Sequence, residues 1–103
     1  MYSIEDFIAC NKAENIVITQ HGRKRLMERG ISIQDILRAI ESGEIIEQYP
    51  DDHPFPSCLI LGTAFKRVLH IVASINEGSI YIITTYCPDI EMWEDDWKTR
   101  RQK

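Results

Sequence analysis

The sequence predicts an α+β domain in which N-terminal helices pack on one face of a four-stranded antiparallel sheet. Three observations predict it. Helical spacing of apolar residues is confined to the part of the chain before Gly43. Beyond Gly43 the hydrophobic period changes to two. Glycine and proline then divide the remainder into strand-length pieces. A helical pair followed by a meander of strands is the layered arrangement of an α+β sandwich.

The elements follow in order. Ser3 caps a short helix with Asp6 three residues on, and Ile4, Phe7 and Ile8 give it an apolar side. Ile16-Val17-Ile18 is a brief β-prone run. Thr19 caps a second helix that Gly30 stops. Ser32 and Asp35 cap a third, in which Ile33, Ile36, Leu37 and Ile40 form one apolar face up to Gly43. Strands are expected over Glu44–Tyr49, Ser57–Leu61, Arg67–Ile75 and Ser79–Cys87. Pro50-Asp51-Asp52 ends the first, and the two prolines of His53-Pro54-Phe55-Pro56 keep that segment irregular. Gly62–Lys66 is expected as a turn and Asn76-Glu77-Gly78 as a three-residue hairpin loop. Asp89 to Trp97 is expected to make a helical turn with Glu94-Asp95-Asp96 as its cap. The basic tail, residues 98–103, is expected to be loose.

The 103 residues make one domain by size, and 44% hydrophobic content is enough to fold without staples. No apolar run is long enough for a membrane helix, and the acidic N-terminus lacks a signal-peptide pattern, so a soluble cytoplasmic protein without a membrane partner is expected. Cys10, Cys58 and Cys87 form no Cys-x-x-Cys pair and read as reduced, packed thiols. Dinucleotide, P-loop, zinc-protease and nucleophile-elbow motifs are absent. No metal or other cofactor is indicated. The net charge of −4 is unevenly spread. Residues 12–40 carry six bases and three acids, whereas residues 41–62 carry five acids and no base. Such an acidic chain argues against broad, salt-driven nucleic-acid binding but leaves room for a local basic groove.

That groove has a candidate. On the second helix His21, Arg25 and Arg29 stand at i, i+4 and i+8, stacked turn over turn on one face. One imidazole and two guanidiniums in line can grip a phosphate or another anion. They can equally be a solvated face, or pair with acids of neighbouring elements. A second candidate depends on the hairpin register. A three-residue loop places His70 opposite Thr84 and Val68 opposite Tyr86, so that His70, Thr84 and Tyr86 share one face, flanked by Ile82 and Val72. Leu69, Ile71, Tyr81 and Ile83 then occupy the other face. His70 is then either a hydrogen-bonded core histidine or a proton carrier, and Tyr86 either a packed aromatic or a site residue. Lys66 and Arg67 read most simply as turn charges, and His53 as a solvated loop residue.

The order of these motifs resembles the bacterial family catalogued as domain of unknown function 4258. The resemblance is carried by His21-x-x-x-Arg25-x-x-x-Arg29-Gly30-Ile31-Ser32 and the Ile33–Ile40 helix, then Glu44-Ile45-Ile46-Glu47-x-Tyr49-Pro50 and Leu59-Ile60-Leu61-Gly62. The Arg67–Val72 strand with His70 follows, then Thr84-Thr85-Tyr86-x-Pro88-Asp89 and Trp93. It spans residues 17–97. It implies the fold of RelE-type messenger-RNA interferase toxins, including the MqsR branch, which cut RNA without metal, and members of the resembled family are often encoded beside a small antitoxin with a zinc ribbon. In that chemistry a base helps the ribose 2′-OH attack the adjacent phosphate, cations stabilise the charge gathering on the phosphate oxygens, and an acid protonates the leaving 5′-oxygen. Carried over by position, Arg25 and Arg29 would clamp phosphate, with Lys66 and Arg67 as further RNA contacts. His21 or His70 would be acid or base, and Tyr86 would orient or donate a proton. The expected function is therefore a toxin-like, metal-independent endoribonuclease with an antitoxin and RNA as partners. The alternative is a non-catalytic protein-binding module or decayed toxin of the same fold. Homo-oligomerisation stays open.

Overall fold

The computed structural model describes residues 1–102. Lys103, the last residue of the basic tail, lies outside them. In chain order the elements are α1 (Ile4–Ala9), a 3₁₀ turn (Ala13–Asn15), β1 (Ile16–Ile18), α2 (Gln20–Arg29), α3 (Ile33–Glu41), β2 (Glu44–Tyr49), β3 (Ser57–Ala64), β4 (Arg67–Asn76) and β5 (Ser79–Tyr86). The sheet has five strands in the order β1-β5-β4-β3-β2. This corrects the expected four-stranded antiparallel sheet. β1 joins it as an edge strand parallel to β5, pairing Ile16 with Ile80 and Ile18 with Ile82. Three residues are too few to show a period, and the partner strand lies at the far end of the chain.

Local chemistry explains the helix boundaries. Ser32 and Asp35 form the full capping box, with the Asp35 N–H on the Ser32 hydroxyl (3.1 Å) and the Ser32 N–H on the Asp35 carboxylate (2.9 Å). The Thr19 hydroxyl accepts from the Gly22 N–H at 3.0 Å. Gly30, at φ 65°, ends α2 in the left-handed region, and the Ile31 N–H returns to the Leu26 carbonyl at 2.9 Å. The helices cover one sheet face. Phe7, Leu26, Ile36 and Ile40 from the helices meet Ile60, Leu69, Ile71, Ile80 and Ile82 there. Gly62 makes this packing close. A Cβ on it would lie 1.9 Å from the Ala39 carbonyl oxygen, so α3 rests directly on the backbone of β3.

The turns differ from expectation. β3 runs through Gly62 to Ala64, and Phe65 and Lys66, both at positive φ, make a two-residue turn. Glu77 and Gly78 do the same between β4 and β5, with Asn76 opposite Ser79. The two-residue loop shifts the register by one. A bulge between Val72 and Ala73 shifts it by one more, so His70 faces Tyr86 and Val72 faces Thr84. The shorter turn places Ile82 opposite Ala73 in the helix-side core, and the bulge leaves Ile83 unpaired and exposed.

After Pro88 the chain lies over the helix-free face of the sheet. Turn hydrogen bonds run from the Met92 and Trp93 N–H groups to the Asp89 carbonyl, and Trp93 pairs with Arg100 in a single β-bridge. The described part of the tail, expected to be loose, is engaged. Lys98 binds Glu44 at 2.7 Å, Arg100 binds Glu47 at 2.9 Å and Arg101 binds Glu94 at 2.8 Å. Those acids gave the tail its partners, which charge counting along the chain does not reveal. Of the three free cysteines Cys58 is buried, but Cys87, expected to pack, is exposed. Among the described residues no helix is long and apolar enough to cross a membrane.

Candidate functional site

The N-terminal end of α2 is drawn down onto the sheet edge. Gly22 permits this, because a Cβ there would meet the Ile18 methyl at 3.0 Å and the Thr19 hydroxyl at 3.2 Å. β1 pairs with β5 only as far as Ile82, and beyond that point α2 lies beside β5. A groove of about 250 Å³ runs between them, lined among others by Thr19, His21, Arg25, Arg29 and Thr84. The helix-dipole end of α2, which favours negative charge, faces the same space.

All three stripe residues are exposed and turn into this groove. The Arg25 Nε–H donates to His21 Nε2 at 3.1 Å, so the neutral imidazole carries its proton on Nδ1. Arg29 donates through Nη1 to the Thr85 carbonyl at 2.8 Å and reaches the Thr84 hydroxyl at 3.5 Å. These bonds orient both guanidiniums and neutralise neither. Among the described residues no carboxylate pairs with Arg25 or Arg29. The acids Glu44, Glu47, Glu94 and Asp95 pair with Lys98, Arg100 and Arg101 instead.

His70 and Tyr86 are brought together, but elsewhere. By strand alternation His70 points away from the Leu69–Ile71 core side, and it is fully buried. Its Nε2 bonds the Trp97 carbonyl at 2.7 Å, so Nε2 carries the proton. Nδ1 then accepts from the Tyr86 hydroxyl at 3.3 Å. The Trp93 indole stands edge-on to the ring, with centroids 4.5 Å apart. Burial pulls the His70 pKa below its ordinary value and pushes that of Tyr86 up. Beside them Tyr49 donates to Glu47, which also accepts from the Arg100 Nε–H at 2.9 Å and Nη2–H at 3.0 Å. Arg100 holds the Glu47 carboxyl below the usual carboxylate range, while burial and then Glu47 push the Tyr49 hydroxyl up to about 12. This cluster is closed by residues 93–100 and contributes nothing to the α2–β5 groove. Glu47, Tyr49, Trp97 and Arg100 were not among the candidate site residues. The adjacency of β2, β3 and β4 brings Glu47 and Tyr49 toward His70, and the segment after Pro88 brings Trp97 and Arg100.

Arg67 is likewise committed. It bonds the buried Asp35 at 2.8 Å and the Gly30 carbonyl at 2.9 Å, tying the end of α2 to the start of α3. Lys66 is exposed on the β3–β4 turn and does not line the groove. Among the described residues no group of three or more His, Cys, Asp or Glu is placed to hold a metal ion.

Fold and site together define an α+β domain with an open cationic groove at the edge of a five-stranded sheet. The family model described as Domain of unknown function (DUF4258) matches residues 18–87, and the chain belongs to that family. The match takes in the stripe, His70 and Tyr86 and ends before the Trp93 segment. No curated protein and no solved structure matches the chain.

Proposed function

We propose that this protein is a metal-independent endoribonuclease of the RelE-like toxin class, working at the α2–β5 groove and held in check by a small antitoxin. The observation that carries this reading is the company of the stripe: His21, Arg25 and Arg29 share an open groove with no carboxylate partner among the described residues. A phosphodiester supplies the missing negative charge. Guanidinium forks match its oxygens, and an imidazole beside them transfers protons near neutral pH. When Arg25 turns to the phosphate, His21 Nε2 is released to accept the 2′-OH proton. The O2′–P bond forms, the P–O5′ bond breaks, and the imidazolium returns the proton to O5′. His70 and Tyr86 lie outside this scheme and hold the C-terminal segment in place.

A second reading has its own support. The groove holds one imidazole and no second acid–base side chain, which suits a module that grips RNA without cutting it.

Induced expression in a bacterial host lacking the antitoxin, with RNA ends mapped, tests both. Wild type is expected to arrest growth and leave 5′-hydroxyl ends. Arg25→Ala with Arg29→Ala should restore growth and weaken RNA binding. Releasing the one clamped phosphate should also make the log–log salt slope for single-stranded RNA shallower by about 0.7. His21→Ala should restore growth and keep RNA binding. RNA binding without cleavage by wild type selects the second reading, and absence of RNA binding overturns both.

A further inference from the structure

A second groove adjoins the first. It encloses about 520 Å³ on the far side of Ile82 and Ile83 and is lined by Phe55, Tyr81, His53 and Val17. Thr19, Ile82 and Ile83 line both grooves, so the two are continuous along the β5 edge. The Phe55 and Tyr81 rings are half-buried, with centroids 6.2 Å apart and planes inclined by 43°. Val17 is 38% and Ile83 52% exposed, high for large apolar side chains that face a concave surface. Asp52 stands at the rim with its carboxylate on the Ser57 hydroxyl.

We infer that this groove is a nucleobase subsite, taking one unstacked base of a single-stranded RNA whose phosphate sits on Arg25 and Arg29. The inference rests on the phosphate-clamp reading above and names how its substrate is held. Single-stranded nucleic acid presents a charged backbone and flat apolar bases. Proteins that bind it set a cationic track beside aromatic side chains. Here the two chemistries lie side by side and are segregated. Guanidiniums line the first groove, and the second has aromatic and aliphatic walls. The Asp52 carboxylate repels phosphate from the second groove and offers an acceptor to a base edge. Its volume falls within the range of small-ligand sites, about 300–1,000 Å³.

The test uses a short 2′-O-methyl oligoribonucleotide, which attack by a 2′-OH cannot cut, and an abasic oligomer with the same number of phosphates. Binding to the full chain is read by fluorescence anisotropy at one salt concentration. Wild type should bind the base-bearing oligomer about tenfold more tightly than the abasic one. Phe55→Leu, which keeps apolar contact and removes the ring, should lower binding of the first to the level of the second. Unchanged abasic binding by that variant also shows that it is folded. Arg25→Ala with Arg29→Ala should weaken both. Equal binding of the two oligomers by wild type, or an unchanged preference in Phe55→Leu, overturns the base subsite and leaves the clamp standing. Binding of neither overturns the clamp, and the base subsite with it.

Discussion

Arg29 and Arg100 both reach the sheet, and they meet different company. Arg29 leans from α2 onto the edge of β5, where a carbonyl and a hydroxyl receive it and no carboxylate does. Arg100 lies over the helix-free face, where its Nε–H and Nη2–H go to Glu47 and the guanidinium lies over the Trp93 ring at 4.7 Å. The same contrast holds for the histidines. His21 is exposed and accepts a guanidinium N–H, whereas His70 is buried with both ring nitrogens occupied. One region leaves its donors available to a ligand. The other consumes them in holding the chain end against the sheet. Residue type alone does not separate a site from a structural network. What separates them is whether the protein itself supplies the counter-charge.

The sharpest break of this comparison is a matched pair of histidine variants. His70→Ala leaves a cavity beneath Trp93 and takes the donor from the Trp97 carbonyl. It should cost about 3 kcal/mol of stability by urea denaturation. His21→Ala should stay within about 0.5 kcal/mol of wild type, because nothing in the fold depends on that ring. Equal costs would mean that the two histidines do not belong to different kinds of region.

A smaller effect separates the same regions by pH. The folded pKa of His70 is lowered by burial, so below its ordinary value of 6.5 the unfolded chain takes up the proton first. The contribution of His70 is therefore complete above that pH and is lost as pH falls below it. The Glu47 carboxyl is also lowered, chiefly by Arg100, from 4.5. Its contribution is complete above that value and is lost as pH falls through the lower folded one. Acidification should thus weaken the protein in two stages. Glu47→Gln should cost about 1 kcal/mol at neutral pH and shrink the second stage, leaving the part that Asp96 contributes through its own lowered carboxyl. A single stage in wild type, or an undiminished second stage in Glu47→Gln, would contradict this assignment.

How far the sequence carries the reader also differs between the two regions. The stripe is legible because helical spacing is local: i, i+4 and i+8 share a face whatever the helix packs against. The caps Thr19, Ser32 and Asp35 and the glycine that stops α2, Gly30, are legible for the same reason, whereas the C-cap of α3 is Ser42, one residue before Gly43. The His70–Tyr86 pair was reached through a register that the structure replaces. A shorter turn and a bulge each moved β5 by one residue, and together they set the two side chains directly opposite. The closed cluster was not legible as a cluster. Glu47 and Arg100 are 53 residues apart, and no periodicity links β2 to the chain end. The parallel pairing of β1 with β5 is non-local in the same way. Whether a charge is neutralised depends on such distant partners, so the structure was needed to show that Asp35 pairs with Arg67 and that, among the described residues, no carboxylate pairs with Arg25 or Arg29.

Lys66 gives the smallest and most discriminating effect, because it belongs to neither region. It is exposed, it lies on the β3–β4 turn and it adopts φ 69°, where a side chain is strained. A type I′ turn accepts glycine at that position. Lys66→Gly relieves the left-handed penalty and adds freedom to the unfolded chain, for a net gain of about 0.5 kcal/mol. RNA affinity should not change, since the turn lies away from the α2–β5 groove. A gain in stability with unchanged binding confines the anion surface to the stripe. A loss of affinity with a shallower salt slope would show instead that the RNA path extends around the end of α2 to the turn, past Arg67. The open region would then be larger than the groove that defines it here.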